Sequence, residues 1–317
     1  MYLIIGSPLD PCCSQVDALL KARGHDTWLL ESLFSEPYRF VWRCAGGRSH
    51  ISNSRISEAG DHWAGSDEID GVFVRETVPR LEQSWSERDG PYVAAEMQAA
   101  LLGWMWSLPC TVINRPPAWL FYRPRPPFLY WVPLLLRAGL RTPATIISND
   151  IERLKTWRSQ HEGGSIFSPL TGNVPFRLQT EAEWKGVMSV ARHTPVLLQE
   201  AHGGTQLACV VGKHVLWDGP PPAGACSLEP KLRDFAQSAG LDFVQIAVAD
   251  KIETEKNDTA GWAVISVEPQ VQFARFSSSA QESIAEVVAS LLTVSRRHSP
   301  WQLNDGPGTM PTGEGAR

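Results

Sequence analysis

Lysine is the scarcest charged residue in this 317-residue chain: there are seven, with none between Lys21 and Lys155 or between Lys155 and Lys185. Acids outnumber lysine plus arginine by 34 to 29, a formal net charge of −5. A nucleic-acid binder needs a basic face, so that class is not expected. The two most apolar stretches, residues 99–113 and 128–136, are short and interrupted or flanked by proline, and no membrane span is expected. The opening residues MYLIIGSPLDPCC carry no basic segment before their apolar run, unlike a signal peptide. Cysteines 12, 13, 44, 110, 209 and 226 show no metal-ligand spacing. Reduced thiols in a cytoplasmic protein are the expectation.

What is present points to a folded chain. It is 43% hydrophobic and 20% charged, enough apolar material for one large or two to three small domains. Thirteen residues are tryptophan. Those in predicted helices and strands read as core, with a Trp-rich peptide-binding surface as the alternative.

The chain opens as a βαβ unit: a strand at 2–5, a turn, a helix that Ser14 can cap and Gly24 ends, and a strand at 27–30. Segments 39–44 and 50–54 around Ala45-Gly46-Gly47 read as a hairpin. A buried strand at 71–75, a helix over 92–107 and a strand at 110–113 follow. Between 115 and 127 five prolines (Pro116, Pro117, Pro124, Pro126, Pro127) mark a connector. Next come a helix over 128–138 containing Pro133, a strand at 145–148, a helix capped by Asn149 or Asp150, and strands at 165–167 and 195–199 around another helix. Further strands are expected at 206–211, 214–217, 243–248 and 263–267, with helices at 231–239 and 280–296. The last twenty residues, polar and rich in Gly and Pro, read as a disordered tail.

The order of these signals resembles the ATP-grasp family, in particular its graspetide (microviridin-type) peptide ligases, over nearly the whole chain to about residue 297. The residues that carry the resemblance are Gly71 to Arg75 (GVFVR), a helix with an early Glu96, Val112 to Pro116 (VINRP), Ala138 to Asp150 (AGLRTPATIISND), Leu198-Gln199-Glu200, Ala208 to Gly212 (ACVVG), the late pair Gly240-Leu241 and Val267 to Phe273 (VEPQVQF). The resemblance implies an α/β fold with α+β lobes. Its parts would be an N-terminal pre-ATP-grasp-like domain over 1–113, a central lobe over 114–197, a C-terminal lobe over 198–297 and the tail over 298–317. It also implies that Gln199, Glu200 and His202 line a nucleotide cleft at the hinge, and that Arg75 and Glu96 belong to a peptide-binding N-terminal region.

Ligases of this kind hold ATP with lysines, arginine and magnesium-binding carboxylates, because charge must be stabilised as an acyl phosphate forms. Here the expected positions read otherwise. The first lysine falls on Phe128, the second on Ser168, the arginine on Leu207, the first metal carboxylate on Ala247, and the Glu-x-Asn pair on Ser266 and Glu268. Arg125, one turn before Phe128, could return some positive charge, although a guanidinium is not an ammonium. Asp250 and Glu268 form either a vestigial cation site or two solvated strand-end carboxylates. His202 lines the cleft or sits in a loop. Cys12 and Cys13 are either activated at a helix start or buried and structural.

The expectation is therefore a degenerate ATP-grasp homologue with no cofactor. It would act in peptide maturation by binding a peptide, an active ATP-grasp enzyme or a second copy of itself, with Trp104, Trp106 and Trp131 as anchors. The alternative is a working ligase that uses ATP and magnesium to join a carboxylate to an amine or hydroxyl of a ribosomal peptide.

Overall fold

The computed structural model describes residues 1–34, 38–43, 48–53, 63–65, 68–75, 85–115, 126–161, 163–170, 175–249 and 262–294. Most of the proline-rich connector with Arg125, the tail, Gly172, Cys44 and Asp250 lie outside the described residues.

The first unit is built from strands β1 (Tyr2–Ile5), β2 (Thr27–Leu30), β6 (Gly71–Val74) and β7 (Thr111–Ile113), paired in parallel in the order β2-β1-β6-β7. Strand β1 is buried on both faces, as parallel strands are. Tyr2 and Ile4 point toward helix α1 (Pro11–Ala22), and Leu3 and Ile5 toward α2 (Asp89–Ser107). A three-stranded antiparallel ribbon, β3 (Tyr38–Arg43), β4 (Arg48–Asn53) and β5 (Trp63–Gly65), packs the Phe40 ring on Trp104 of α2.

Helix α1 starts earlier than Ser14. Asp10 is its N-cap and accepts a hydrogen bond from the Cys12 amide at 2.9 Å, while Pro11, which has no N–H to lose, takes the first helical position. Ser14 is one turn inside and donates its hydroxyl to the Pro8 carbonyl.

The central unit comprises α3 (Phe128–Arg137), β8 (Thr145–Ser148), α4 (Ile151–Gln160), β9 (Ser165–Ser168), β10 (Phe176–Leu178), α5 (Glu181–Ala191) and β11 (Val196–Glu200). Its antiparallel sheet runs β10-β9-β11-β8. Asp150 caps α4, and Thr180 with Glu183 makes a capping box on α5. Helices α4 and α5 cover one sheet face, burying Val196 and Leu198 with Trp157 and Trp184. Strand β11 is hydrogen-bonded along its length to β8 and β9, and the passage to the next sheet follows Glu200.

The C-terminal sheet, β13-β12-β14-β15, consists of β12 (Thr205–Val211), β13 (His214–Trp217), β14 (Phe243–Ala249) and β15 (Ala263–Glu268). Helices α6 (Ala225–Ser238) and α3 cover one face, and α7 (Ser278–Thr293) with α1 covers the other. Helix α6 begins six residues before the expected Lys231 and runs through Pro230. The short strands β5 and β10 have three residues each, too few to show an alternation in sequence.

Two Gly-Leu pairs have the same local cause. Gly139 (φ 70°) and Gly240 (φ 68°) follow α3 and α6 in the left-handed region. The next residues, Leu140 and Leu241, donate back to the Leu135 and Ala236 carbonyls at 2.9 Å. Each pair is a helix stop of the Schellman kind, with a buried leucine as its apolar clasp.

Candidate functional site

Two surfaces carry the positions singled out in the sequence: the central-sheet face left uncovered by α4 and α5, and one end of the C-terminal sheet. On the first, Gln199 lies between Thr145 of β8 and Ile166 of β9. Its amide is buried, with Nε2 lacking a hydrogen-bond partner, while Ser168 Oγ reaches Oε1 at 3.5 Å. Leaving such a donor unsatisfied costs about 1–3 kcal/mol, which a ligand acceptor or water would recover. Glu200 is also buried, and its backbone N–H donates to the Ala144 carbonyl at 3.0 Å. His202 is half-buried, with Nδ1 3.3 Å from the Gly203 carbonyl oxygen.

On the C-terminal sheet the strand register answers a question that sequence spacing alone leaves open. Leu207 of β12 pairs with Ala247 of β14, and Ala247 pairs with Ser266 of β15. The expected arginine, metal carboxylate and metal glutamate positions therefore stand abreast on three adjacent strands. They carry leucine, alanine and serine. Leu207 and Ala247 are buried within the apolar core shared with α1 and α7. Phe128, at the expected first lysine, packs against the core under α3 and α6. Together with Ser168, these five described positions present hydroxyl and hydrocarbon, with no charge to meet magnesium or a triphosphate.

Glu268 lies opposite Gln245, whereas Ala249, which precedes Asp250, lies opposite Ala263. Five residues of strand separate these ends, about 16 Å at 3.3 Å per residue. Asp250 itself lies outside the described residues. Among the described residues no group of three His, Cys, Asp or Glu side chains is placed to hold a metal ion.

Arg75, at the end of β6, is turned inward. Its Nε donates to Asp10 Oδ2 at 2.9 Å, Nη2 donates to the Val271 carbonyl at 2.8 Å, and its guanidinium lies 5.8 Å from the Phe243 ring centroid. Burial opposes the charge, but Cys12 and Asp10 beside it shift the guanidinium upward overall. Gly6 makes room for this arrangement, since a Cβ there would sit 2.6 Å from Cys13 Sγ and 2.9 Å from Arg75 Cβ. Glu96 is exposed on α2.

Beside Arg75, Asn114 makes the connection that spacing did not disclose. Its Nδ2 donates to the Phe243 carbonyl at 2.6 Å, and its Oδ1 accepts from the Phe243 amide at 2.7 Å. The Val-Ile-Asn signal was visible in sequence, and its purpose is to fasten the first sheet to β14.

Cys12, Cys13 and Cys209 are buried. Burial pushes the Cys12 thiol up to about 12 despite the opposing charge of Arg75, and raises Cys13 and Cys209 as well. Of the three tryptophans named as anchors, Trp104 and Trp131 are wholly buried core, and only Trp106 is exposed.

No family model and no curated protein matches the sequence. Solved structures match the fold. The ATP-grasp ligase PsnB, complexed with minimal precursor, Mg and ADP, superposes with a TM-score of 0.68 at 17% identity over 92% of this chain and 98% of that one. Macrocyclase MdnC from Microcystis aeruginosa MRC, bound with precursor peptide MdnA, gives 0.68 at 15% identity with the same coverage. A RiPP-associated ATP-grasp ligase of Chryseobacterium gregarium, in complex with ADP and a leader and core peptide, gives 0.69 at 14% identity over 94% of this chain and 98% of that one. The fold is that of the ATP-grasp ligases. At these identities the likeness is one of architecture.

Proposed function

We propose that this chain is an ATP-grasp homologue without ligase chemistry, acting in peptide maturation as a peptide-binding or partner subunit. The observation that carries the reading is the uncharged row Leu207–Ala247–Ser266, two of whose members are packed into core. Ligase chemistry needs cations where phosphate charge develops, and removing all of them removes nucleotide affinity and transition-state stabilisation together. Supporting the peptide half, PsnB and MdnC were both solved with precursor peptides. In this reading the fold is kept for recognition, with no nucleic-acid or membrane partner and a cytoplasmic setting.

Isothermal titration with ATP and magnesium tests it. The expected outcome is no heat above dilution at millimolar ATP. Micromolar affinity, or ATP turnover abolished by Glu268→Gln, would overturn the reading in favour of a working ligase.

A further inference from the structure

On the outer side of the central sheet, the face turned away from Gln199 and Ser168, a groove of about 670 Å³ runs between α4 and α5. Its size is in the range of ligand clefts. Four of its lining residues are cations, Lys155 and Arg158 from α4 and Lys185 and Arg192 from the α5 side, against a single acid, Glu181. That excess stands out on a molecule whose net charge is −5.

Not all four cations are equally available. Lys155 lies 2.7 Å from Glu152, and Arg158 forks onto the Glu181 carboxylate while lying 4.9 Å from the Trp184 ring centroid. Arg158 is thereby held in place as part of the wall. Lys185 acts on Glu181 through space, and Lys185 and Arg192 are both exposed to solvent. They are seven residues apart, about 10 Å along a helix. The apolar lining comes from the half-buried, conformationally adaptable Met188, between them in sequence, and from the largely buried Trp184 ring beside Arg158.

Cations about 10 Å apart on either side of an apolar floor ask for a matching ligand. A small anion would leave Trp184 and Met188 unused, and a polynucleotide would meet an acidic molecule beyond the groove. We propose that the groove between α4 and α5 binds an acidic peptide segment, in which two carboxylates about 10 Å apart flank one apolar side chain. That spacing corresponds to residues i and i+7 of a helix. The inference rests on the reading that the chain binds a peptide, and it gives that peptide a charge and a place.

The test is fluorescence anisotropy on the full chain. The probe is a fluorescein-labelled peptide carrying two glutamates seven residues apart with a leucine midway between them. Saturable binding is expected, weakening at least about tenfold in the Lys185→Glu/Arg192→Glu double variant and falling as salt is raised. The same peptide with Gln for both Glu should lose a similar factor, and Met188→Ser a smaller one. Both reversed positions are exposed, and circular dichroism will verify that the variant is folded. Lys213→Ala, exposed in the turn between β12 and β13, should leave binding unchanged. No saturable binding, equal binding to the charge-reversed variant, or equal binding of the Gln peptide would each overturn the proposal. The result is separable from the ATP titration: failure here with ATP unbound removes the groove and leaves the no-ligase reading, whereas ATP binding with peptide captured does the reverse.

Discussion

The two four-stranded antiparallel sheets of this molecule are built to different standards of burial. In the C-terminal sheet every residue of β14 is buried, and so are the last five of β12, because helices pack on both faces. In the central sheet β8 and β10 are largely half-buried or exposed, and α4 and α5 cover a single face. The first sheet and the C-terminal sheet also share one core through α1 and α7, reinforced by Arg75 and Asn114. The central sheet keeps a small core of its own. A scaffold and an attachment are thus joined in one chain.

The largest effect should come from cutting the bond between the first and C-terminal sheets. Asn114→Ala removes two short hydrogen bonds and strands the Phe243 amide and carbonyl. A loss of about 3 kcal/mol is expected in urea unfolding, at roughly 1–3 kcal/mol per buried group left unpaired. A cost below about 1 kcal/mol would mean the two sheets are not held as one unit.

A second effect separates the units by pH. The chain has no cysteine between Cys110 and Cys209, so the central sheet and its helices carry no thiol. The Cys12 thiol stays protonated in the folded state up to about 12, whereas its usual value is 9.0. Above pH 9 the unfolded chain gives up that proton and the folded one does not, so stability falls as pH rises from about 9 toward 12. The slope is about 1.4 kcal/mol per pH unit for each such thiol. Hydrogen exchange should show β1, α1 and β12 loosening with alkali while α4 and α5 hold, and Cys12→Ala should lower the slope by one thiol. Equal alkaline loosening of both units would erase the distinction.

The smallest effect is confined to the attachment. Thr180→Ala breaks the capping box of α5 and should cost about 1 kcal/mol, seen as faster exchange of α5 amides with β12 and β14 unchanged. Loss spreading to β14 would show tighter coupling between the units than their separate cores imply.

What was legible in the sequence follows the same division. Helix stops at Gly24, Gly139 and Gly240, the buried strand at Gly71 and the amphipathic closing helix all announce themselves locally, so the architecture could be read from caps and periodicity. The signals that carried the family resemblance turn out to be structural: Gly-Leu is a helix stop, and the asparagine after β7 is a fastening. Such features are set by local geometry, which is why the fold was readable in sequence. Three things were hidden. The abreast placement of Leu207, Ala247 and Ser266 depends on register between strands some 20 to 40 residues apart in sequence. The inward turn of Arg75 depends on Val271, nearly two hundred residues away. The basic groove depends on α4 and α5 lying side by side, and sequence shows its cations only as ordinary solvated charges.

The core shared by α1 and α7 also has a bearing on the order in which the molecule is made. Ile4, Val16 and Phe73 emerge from the ribosome early, yet their partners Ile284, Val288 and Leu292 are among the last described residues. Arg23 likewise waits for Glu286 to complete its ion pair. Closure across so long a stretch of chain is slow relative to local pairing. The central sheet, whose partners all lie between residues 144 and 200, can close on itself while the rest is still being synthesised. The α1 side of that core therefore becomes native only once α7 is made, and until then its apolar face is open to other chains.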